Sequence, residues 1–379
     1  MKKRTLLITV LISVVIIGIV TAIALIPNNP ITKLLEDVGI LEPDAPECTH
    51  SFGQYNLVGR PTFDTPATLE STCKLCQTKK TQSVYAADQL TYEVDDEGLT
   101  HITGAENYNG NVLYLSATKK DGSAVHVVDD SVFCEKDFEF IFVEEGIQQI
   151  DNYAFAFNKS LKEVHLPASV TAYGSYTFAG CSALESVVFA PDATKLGVQQ
   201  FYECRSLTNV VLPSKIEDLP LGLFFGCKSL AEIELPSSLV NIGAEAFASC
   251  EKLASIKLPE TLKEIYPNSF AGCTSLTTVT LPALDKLHFN AFLGCTGLKT
   301  VFLSGGIRTI EVNGSDGPFF YCSSDLVLYT DATEQPSGWA THFENYNSNV
   351  ADEDGGELND DAYHNLKVVY GCSLADFPG

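Results

Sequence analysis

From residue 138 to residue 322 the pattern of apolar and polar positions repeats as one unit. A lead apolar residue stands at Phe138, Leu161, Leu184, Leu207, Leu230, Leu253, Leu276 and Leu298, 23 residues apart and 22 at the last step. The third and fifth positions after the lead are apolar and the fourth mostly is not, as in Leu161, Val164 and Leu166 or Leu230, Ile233 and Leu235. That alternation predicts a short strand with one buried face. A proline usually follows (Pro167, Pro213, Pro236, Pro259, Pro282) and ends the strand, because it has no donor for a ladder. Beyond it, apolar residues at helix-like intervals, such as Leu239, Ile242, Ala246 and Phe247, predict a helical turn or two packed behind the strand. Each unit then carries a phenylalanine: Phe155, Phe178, Phe201, Phe224, Phe247, Phe270, Phe292 and Phe319. Three residues further stand Asn158, Cys181, Cys204, Cys227, Cys250, Cys273, Cys295 and Cys322.

One such unit cannot cover its own apolar face, whereas stacked units can. The predicted fold class is therefore an α/β solenoid with a 23-residue period, a parallel sheet on one face and a cap at each end. With strands about 4.8 Å apart the array would run about 34 Å. Residues 84–137 carry strand-like runs at 112–115 and 125–128 and Phe133 near the expected slot, and are assigned as a diverged N-terminal cap. The array proper spans 138–324. Residues 325–379 form the C-terminal cap, with a strand ending near Tyr329 and a turn at Pro336-Ser-Gly-Trp339.

The repeated L-x-x-[VI]-x-L-P followed by A-F-x-x-C resembles the BspA-like leucine-rich repeats of bacterial surface proteins, over about half of the chain. The resemblance implies a final strand, matched by residues 366–370, and a role in adhesion to host surface or matrix proteins or to other cells. It brings no individual ligand residues with it. Residues 48–83 hold Cys48-Thr-His50 and Cys73-Lys-Leu-Cys76, similar to small C-x-H…C-x-x-C modules of secreted bacterial proteins, with Gln77 where those often have Gly.

Composition narrows the function classes. Forty-eight acidic against 24 basic residues give a formal charge of −24, and no basic cluster occurs after residue 4. Nucleic acid is thereby a poor partner, and the folded part a poor match for anionic lipid. Met1-Lys2-Lys3-Arg4 precedes 22 uncharged residues, 5–26, about 33 Å as a helix and long enough to cross a bilayer. Residues 1–26 are read either as an uncleaved signal anchor or as a signal peptide cut after Ala24, in Ala22-Ile23-Ala24. Both place residues 28 onward outside the cytoplasm, on the outer face of the membrane or secreted. Residues 27–47, with four prolines, are a linker.

Cys48, His50, Cys73 and Cys76 supply three thiolates and one imidazole, a closed tetrahedral set for one structural zinc. The alternative is a disulfide from Cys48 to Cys73 or Cys76, which an extracellular location permits. Stacking puts the seven array cysteines in file about 5 Å apart; seven cannot all pair, and the expectation is a file of inert thiols. The acidic run 351–361 does not have EF-hand spacing and is read as a solvated loop. No hydrolase, zinc-protease or phosphate-loop motif occurs, the seven histidines stand singly, and the chain is read as a non-enzyme without a small-molecule substrate.

The remaining candidate is the exposed strand face. Its fourth-position file reads His165, Val188, Val211, Glu234, Lys257, Thr280 and Phe302. An apolar pair beside a charged pair suits a protein ligand; a spacer or scaffold without its own ligand is the alternative reading.

Overall fold

Each repeat folds into one coil, with a short strand, often ended by proline, at the front and a phenylalanine turn late in the unit. The computed structural model describes residues 55–314, 316–340, 343, 345–347 and 363–377. These divide into two compact units. One comprises 55–58 and 68–83, and the other 59–67 with the chain from Val84 onward.

The smaller unit is a three-stranded sheet ordered Asn56–Val58, Ala67–Thr72, Lys79–Val84, the first two antiparallel with Asn56 opposite Glu70. Cys73 and Cys76 lie at the turn between the second and third strands. There the Cys73 amide donates to the Thr78 carbonyl (2.8 Å), and Gln77 adopts a left-handed conformation, φ 63°.

The larger unit is a solenoid held by three hydrogen-bonded ladders. The front ladder pairs parallel strands Val112–Leu115, Phe140–Val143, Glu163–His165, Ser186–Val188 and Asn209–Val211, and resumes with Thr278–Leu281, Thr300–Leu303, Val327–Thr330 and Lys367–Val369. Its register advances by the period of the sequence, Glu163 to Ser186 to Asn209, and by one residue fewer from Thr278 to Thr300. The rear ladder is built from two-residue strands, of which Asp218–Leu219, Asn241–Ile242, Glu264–Ile265, Lys286–Leu287 and Thr309–Ile310 form one unbroken parallel series. The third ladder runs through the phenylalanine turns. Each Phe amide donates to the carbonyl just before the next Phe, as in Phe224 to Ala246 (2.8 Å) and Phe247 to Ser269 (2.7 Å).

Inside the coils the Phe rings form a continuous stack from Phe133 to Phe319, with centroids 5.0–5.7 Å apart and interplanar angles of 4–21°. Each file cysteine donates its thiol to the carbonyl of the Phe one coil earlier, from Cys181 to Phe155 (3.3 Å) through Cys322 to Phe292 (3.1 Å). Asn158 shows what that slot asks for. Its Nδ2 donates to the Phe133 carbonyl at 2.8 Å, making the same bond with an amide. The slot therefore selects a short buried donor, not merely a small side chain. Burial disfavours the thiolate, pushing Cys181 up to about 12 and Cys204 and Cys227 well above the usual thiol value.

The helical element predicted behind the strand does not form: among the described residues there is no α-helix, only a three-residue 3₁₀ turn at Leu374–Asp376. The apolar spacing that suggested it is real. Leu239, Ile242, Ala246 and Phe247 are all fully buried, but Ile242 belongs to the rear strand Asn241–Ile242, and the others sit in turns. Two left-handed residues per coil, two before and two after the Phe, break any helix. They are Tyr153 and Phe157 (φ 54° and 59°), Glu245 and Ser249 (58° and 59°), and Asn268 and Gly272 (58° and 71°). Glycine at the second of these positions in several copies was the legible sign of it.

The region assigned as N-terminal cap joins the same ladders. Val112–Leu115 pairs in parallel with Phe140–Val143, and Phe133 stacks on Phe155. At the other end Lys367–Val369 closes the front ladder, and Trp339 donates Nε1–H to the Ile307 carbonyl (2.8 Å). The candidate anchor, residues 5–26, lies outside the described residues, among which no helix is long and apolar enough to cross a membrane.

The turn geometry fixes the sign of one substitution. A non-glycine residue in the left-handed region costs about 1–2 kcal/mol, so Glu245→Gly should stabilise the protein by up to about 1 kcal/mol in urea unfolding. In a helix the same change would cost about 1 kcal/mol, and a lowered midpoint would contradict the left-handed turn.

Candidate binding face

The fourth-position file runs in register across the front: Tyr114, Phe142, His165, Val188, Val211, and after the interruption Thr280, Phe302, Tyr329 and Val369. Its first two members and its last two extend the predicted set at both ends. They were legible by carrying the same offset into the flanking coils.

The side chains at the two ends of this face, Tyr114 and Phe142 at one and Phe302 at the other, are nearly buried. At the N-terminal end Arg60 pairs with Glu144, which also accepts from Tyr114 Oη (3.0 Å), Ser116 Oγ (2.9 Å) and the Ala117 amide (2.9 Å). Burial pushes the Glu144 carboxyl up, but the bonds from Arg60 and Ala117 outweigh it and hold the group below the usual carboxylate value. Burial, reinforced by Glu144, pushes the Tyr114 hydroxyl up to about 12. At the C-terminal end the Phe377 ring lies 5.6 Å from both Phe302 and Tyr329. Phe302 is consequently only 3% exposed, which corrects its assignment as an available docking side chain. Sequence spacing puts Phe302 on the outward side of its strand but cannot show that a segment 75 residues later returns over it.

Between these ends the file is open. Val188 and Val211 are 53% and 49% exposed on adjacent strands, and Glu234, Lys257 and Thr280 are exposed beyond them. His165 is half-buried at the boundary, its ring stacked on Phe142 at 4.5 Å and its Nε2 3.5 Å from Glu163. Of the seven predicted face residues, six therefore lie on or at the edge of the open window and one does not.

Of the predicted metal set, Cys48 and His50 lie outside the described residues. Cys73 is buried and Cys76 exposed, its thiol 3.1 Å from Thr78 Oγ1. A second polar cluster stands on the rear side near the first coils. His101 Nδ1 lies 2.5 Å from Asp129 and Nε2 3.1 Å from Asp95, with Asp130 and Asp151 lining the same depression. Burial alone would lower the His101 value, but the hydrogen bonds and charges of Asp129 and Asp95 raise it above that of an ordinary histidine.

Comparison with known proteins agrees with this geometry. The profile of the BspA type leucine rich repeat region matches residues 126–229 and 217–327, more than half of the chain. A leucine-rich repeat protein of Bacteroides ovatus is 24% identical over 65% of this chain and 70% of its own, with a TM-score of 0.51, a likeness of fold. A leucine rich cell surface protein of Faecalibacterium prausnitzii is 18% identical over 60% and 90%, with a TM-score of 0.31. The pneumococcal vaccine antigen PcpA is 16% identical over 77% and 97%, with a TM-score of 0.35. No functionally curated protein matches the chain.

The His101 cluster gives the first coils a pH dependence whose sign follows from linkage. A histidine with a raised folded value contributes stability that is complete below about pH 6.5 and disappears as pH rises through the folded value. Urea unfolding of the protein against a His101→Gln variant should therefore show a gap that is largest near pH 5.5 and closes above neutrality. A gap constant from pH 5.5 to 8.5 would contradict the assignment.

Proposed function

The chain belongs to the BspA-type leucine-rich repeat family, and from that membership we propose that it is a cell-surface binding protein whose solenoid docks a protein partner on the open middle of its front face. The observation that carries the reading is the near burial of Tyr114 and Phe142 at one end of that face and of Phe302, under Phe377, at the other, with Val188 and Val211 left half-exposed between them. An exposed apolar pair on a rigid strand ladder, rimmed by Glu234 and Lys257, has the composition of an interface core with a polar rim. Repetition supports it further, since parallel coils bring equivalent side chains into line without any loop to order on binding. Residues 5–26 supply the membrane attachment or export signal in this reading, and adhesion to a host protein or another cell is the role.

The test has two stages. The purified protein is screened against host surface and matrix proteins, and the partner found is titrated against Val188→Glu, Val211→Glu and Phe302→Ala. Both valine variants should weaken binding by about tenfold or more while leaving the unfolding midpoint nearly unchanged. Phe302→Ala should lower stability instead, because its ring is packed under Phe377. Unchanged affinity in both valine variants would leave the array as a spacer.

A further inference from the structure

Between Asn209–Val211 and Thr278–Leu281 the front ladder is interrupted. Residues 232–235 and 255–258 repeat the apolar pattern of their neighbours, yet no strand forms there and no ladder joins them to either side among the described residues. The same coils remain fastened elsewhere. The rear ladder continues from Asp218 to Asn241 to Glu264, and the turn ladder from Phe224 to Ala246 and Phe247 to Ser269. The coils are thus held on two sides, and on the third the strand pairing lapses just past the bonds from the Ala254 amide to the Ala231 carbonyl (3.1 Å) and from the Thr277 amide to the Ala254 carbonyl (3.4 Å).

Solvent enters where the pairing lapses. The inward side chains Val210, Ile233 and Ile256 are 7, 9 and 8% exposed, whereas their counterparts Ile141, Val164, Val187, Val279 and Val301, where the ladder is intact, are 0, 5, 1, 1 and 0%. A cavity of about 520 Å³ opens there, lined by Val211, Leu212, Ile233, Glu234, Leu235 and Lys257. Its size falls in the range of about 300–1,000 Å³ typical of ligand sites. Local sequence favours the opening: Glu232 and Glu234 flank Ile233 on the middle coil, and glutamate is a poor strand former.

We infer that this cleft is where the partner is held, by addition of an extended segment of its polypeptide as an inserted strand. The inference rests on the reading of the front face as a docking surface and narrows it to three coils. Backbone N–H and C=O groups are obligatory hydrogen-bonding groups, and two facing edges without ladder partners offer an extended chain a place on both sides. Strand periodicity sets the chemistry of the guest. Alternate side chains must be apolar, to meet Ile233, Leu212 and Leu235, and the intervening ones face outward toward Glu232 and Glu234. On a chain of formal charge −24, with Lys257 the one basic residue among those lining the cleft, the outward side chains of the guest are basic.

Hydrogen exchange on the intact protein tests this, with the acetylated and amidated peptide Lys-Val-Lys-Val-Lys-Val as the probe. In the free protein the amides of 232–235 and 255–258 should exchange at least about 100-fold faster than those of 279–281 and 301–303. The peptide should slow the cleft amides by about tenfold or more, and a version N-methylated at alternate amides should not. Cleft amides already as protected as those of 301–303, no slowing by the peptide, or equal slowing by the N-methylated version would each overturn the inference. A partner protein that is weakened by Val188→Glu but protects no amide in 232–258 would leave the docking face standing and remove the inserted strand.

Discussion

The stack of phenylalanine rings is the interaction on which the rest of this protein depends. A single coil has an apolar face on every side and no second layer to cover it, so it folds only against its neighbours. Each ring is fully buried, the inner ones between two others, and contributes about 1.5–3 kcal/mol through burial alone. Keeping the rings in file requires the backbone around each to repeat, and the flanking left-handed residues at Tyr153 and Phe157, or Glu245 and Ser249, provide that repeat. They bend the chain sharply enough for each Phe amide to reach the next coil, and the thiol of the following cysteine ties the coil to the Phe carbonyl behind it.

Because the turn column fixes the spacing of the coils, the front face is free to vary along the solenoid. Its end residues Tyr114, Phe142 and Phe302 are nearly buried, the last under Phe377, and its strand pairing lapses between Val211 and Thr278 while the rear ladder stays closed. A sheet that had to hold the coils together by itself could not lose its pairing across two successive coils. Here two of three ladders suffice, and the third supplies an open surface with its own chemistry. The same arrangement pushes thiols such as Cys181, buried among rings and bonded to the carbonyl of the preceding Phe, away from the thiolate.

Much of this was legible from periodicity. The lead leucines, the strand pattern, the phenylalanine slot and the cysteine slot are all positions where one physical demand recurs in every copy, so repetition itself marks them. What periodicity could not separate was a helical turn from a short strand followed by a turn, because Leu239, Ile242, Ala246 and Phe247 are buried in either geometry. Backbone handedness decides between them, and its trace in sequence is faint, since glycine occupies those positions in only some copies while Tyr153, Gln199 and Glu245 adopt the same conformation in others. The covering of Phe302 by Phe377 and the lapse of strand pairing at 232–258 were hidden for a different reason. Both depend on what lies beside a residue in space, and the copies there keep the same apolar pattern as those around them.

Native-state hydrogen exchange on a Phe224→Ala variant tests most directly whether the ring column holds the coils. Removing one ring from the middle of the stack should lower the opening free energy of the amides at positions 201, 224 and 247 by about 3–5 kcal/mol, with a smaller effect at 300–303. Unchanged protection at those three amides would show that the coils are held by the strand ladders, and that the phenylalanine column only fills the space between them.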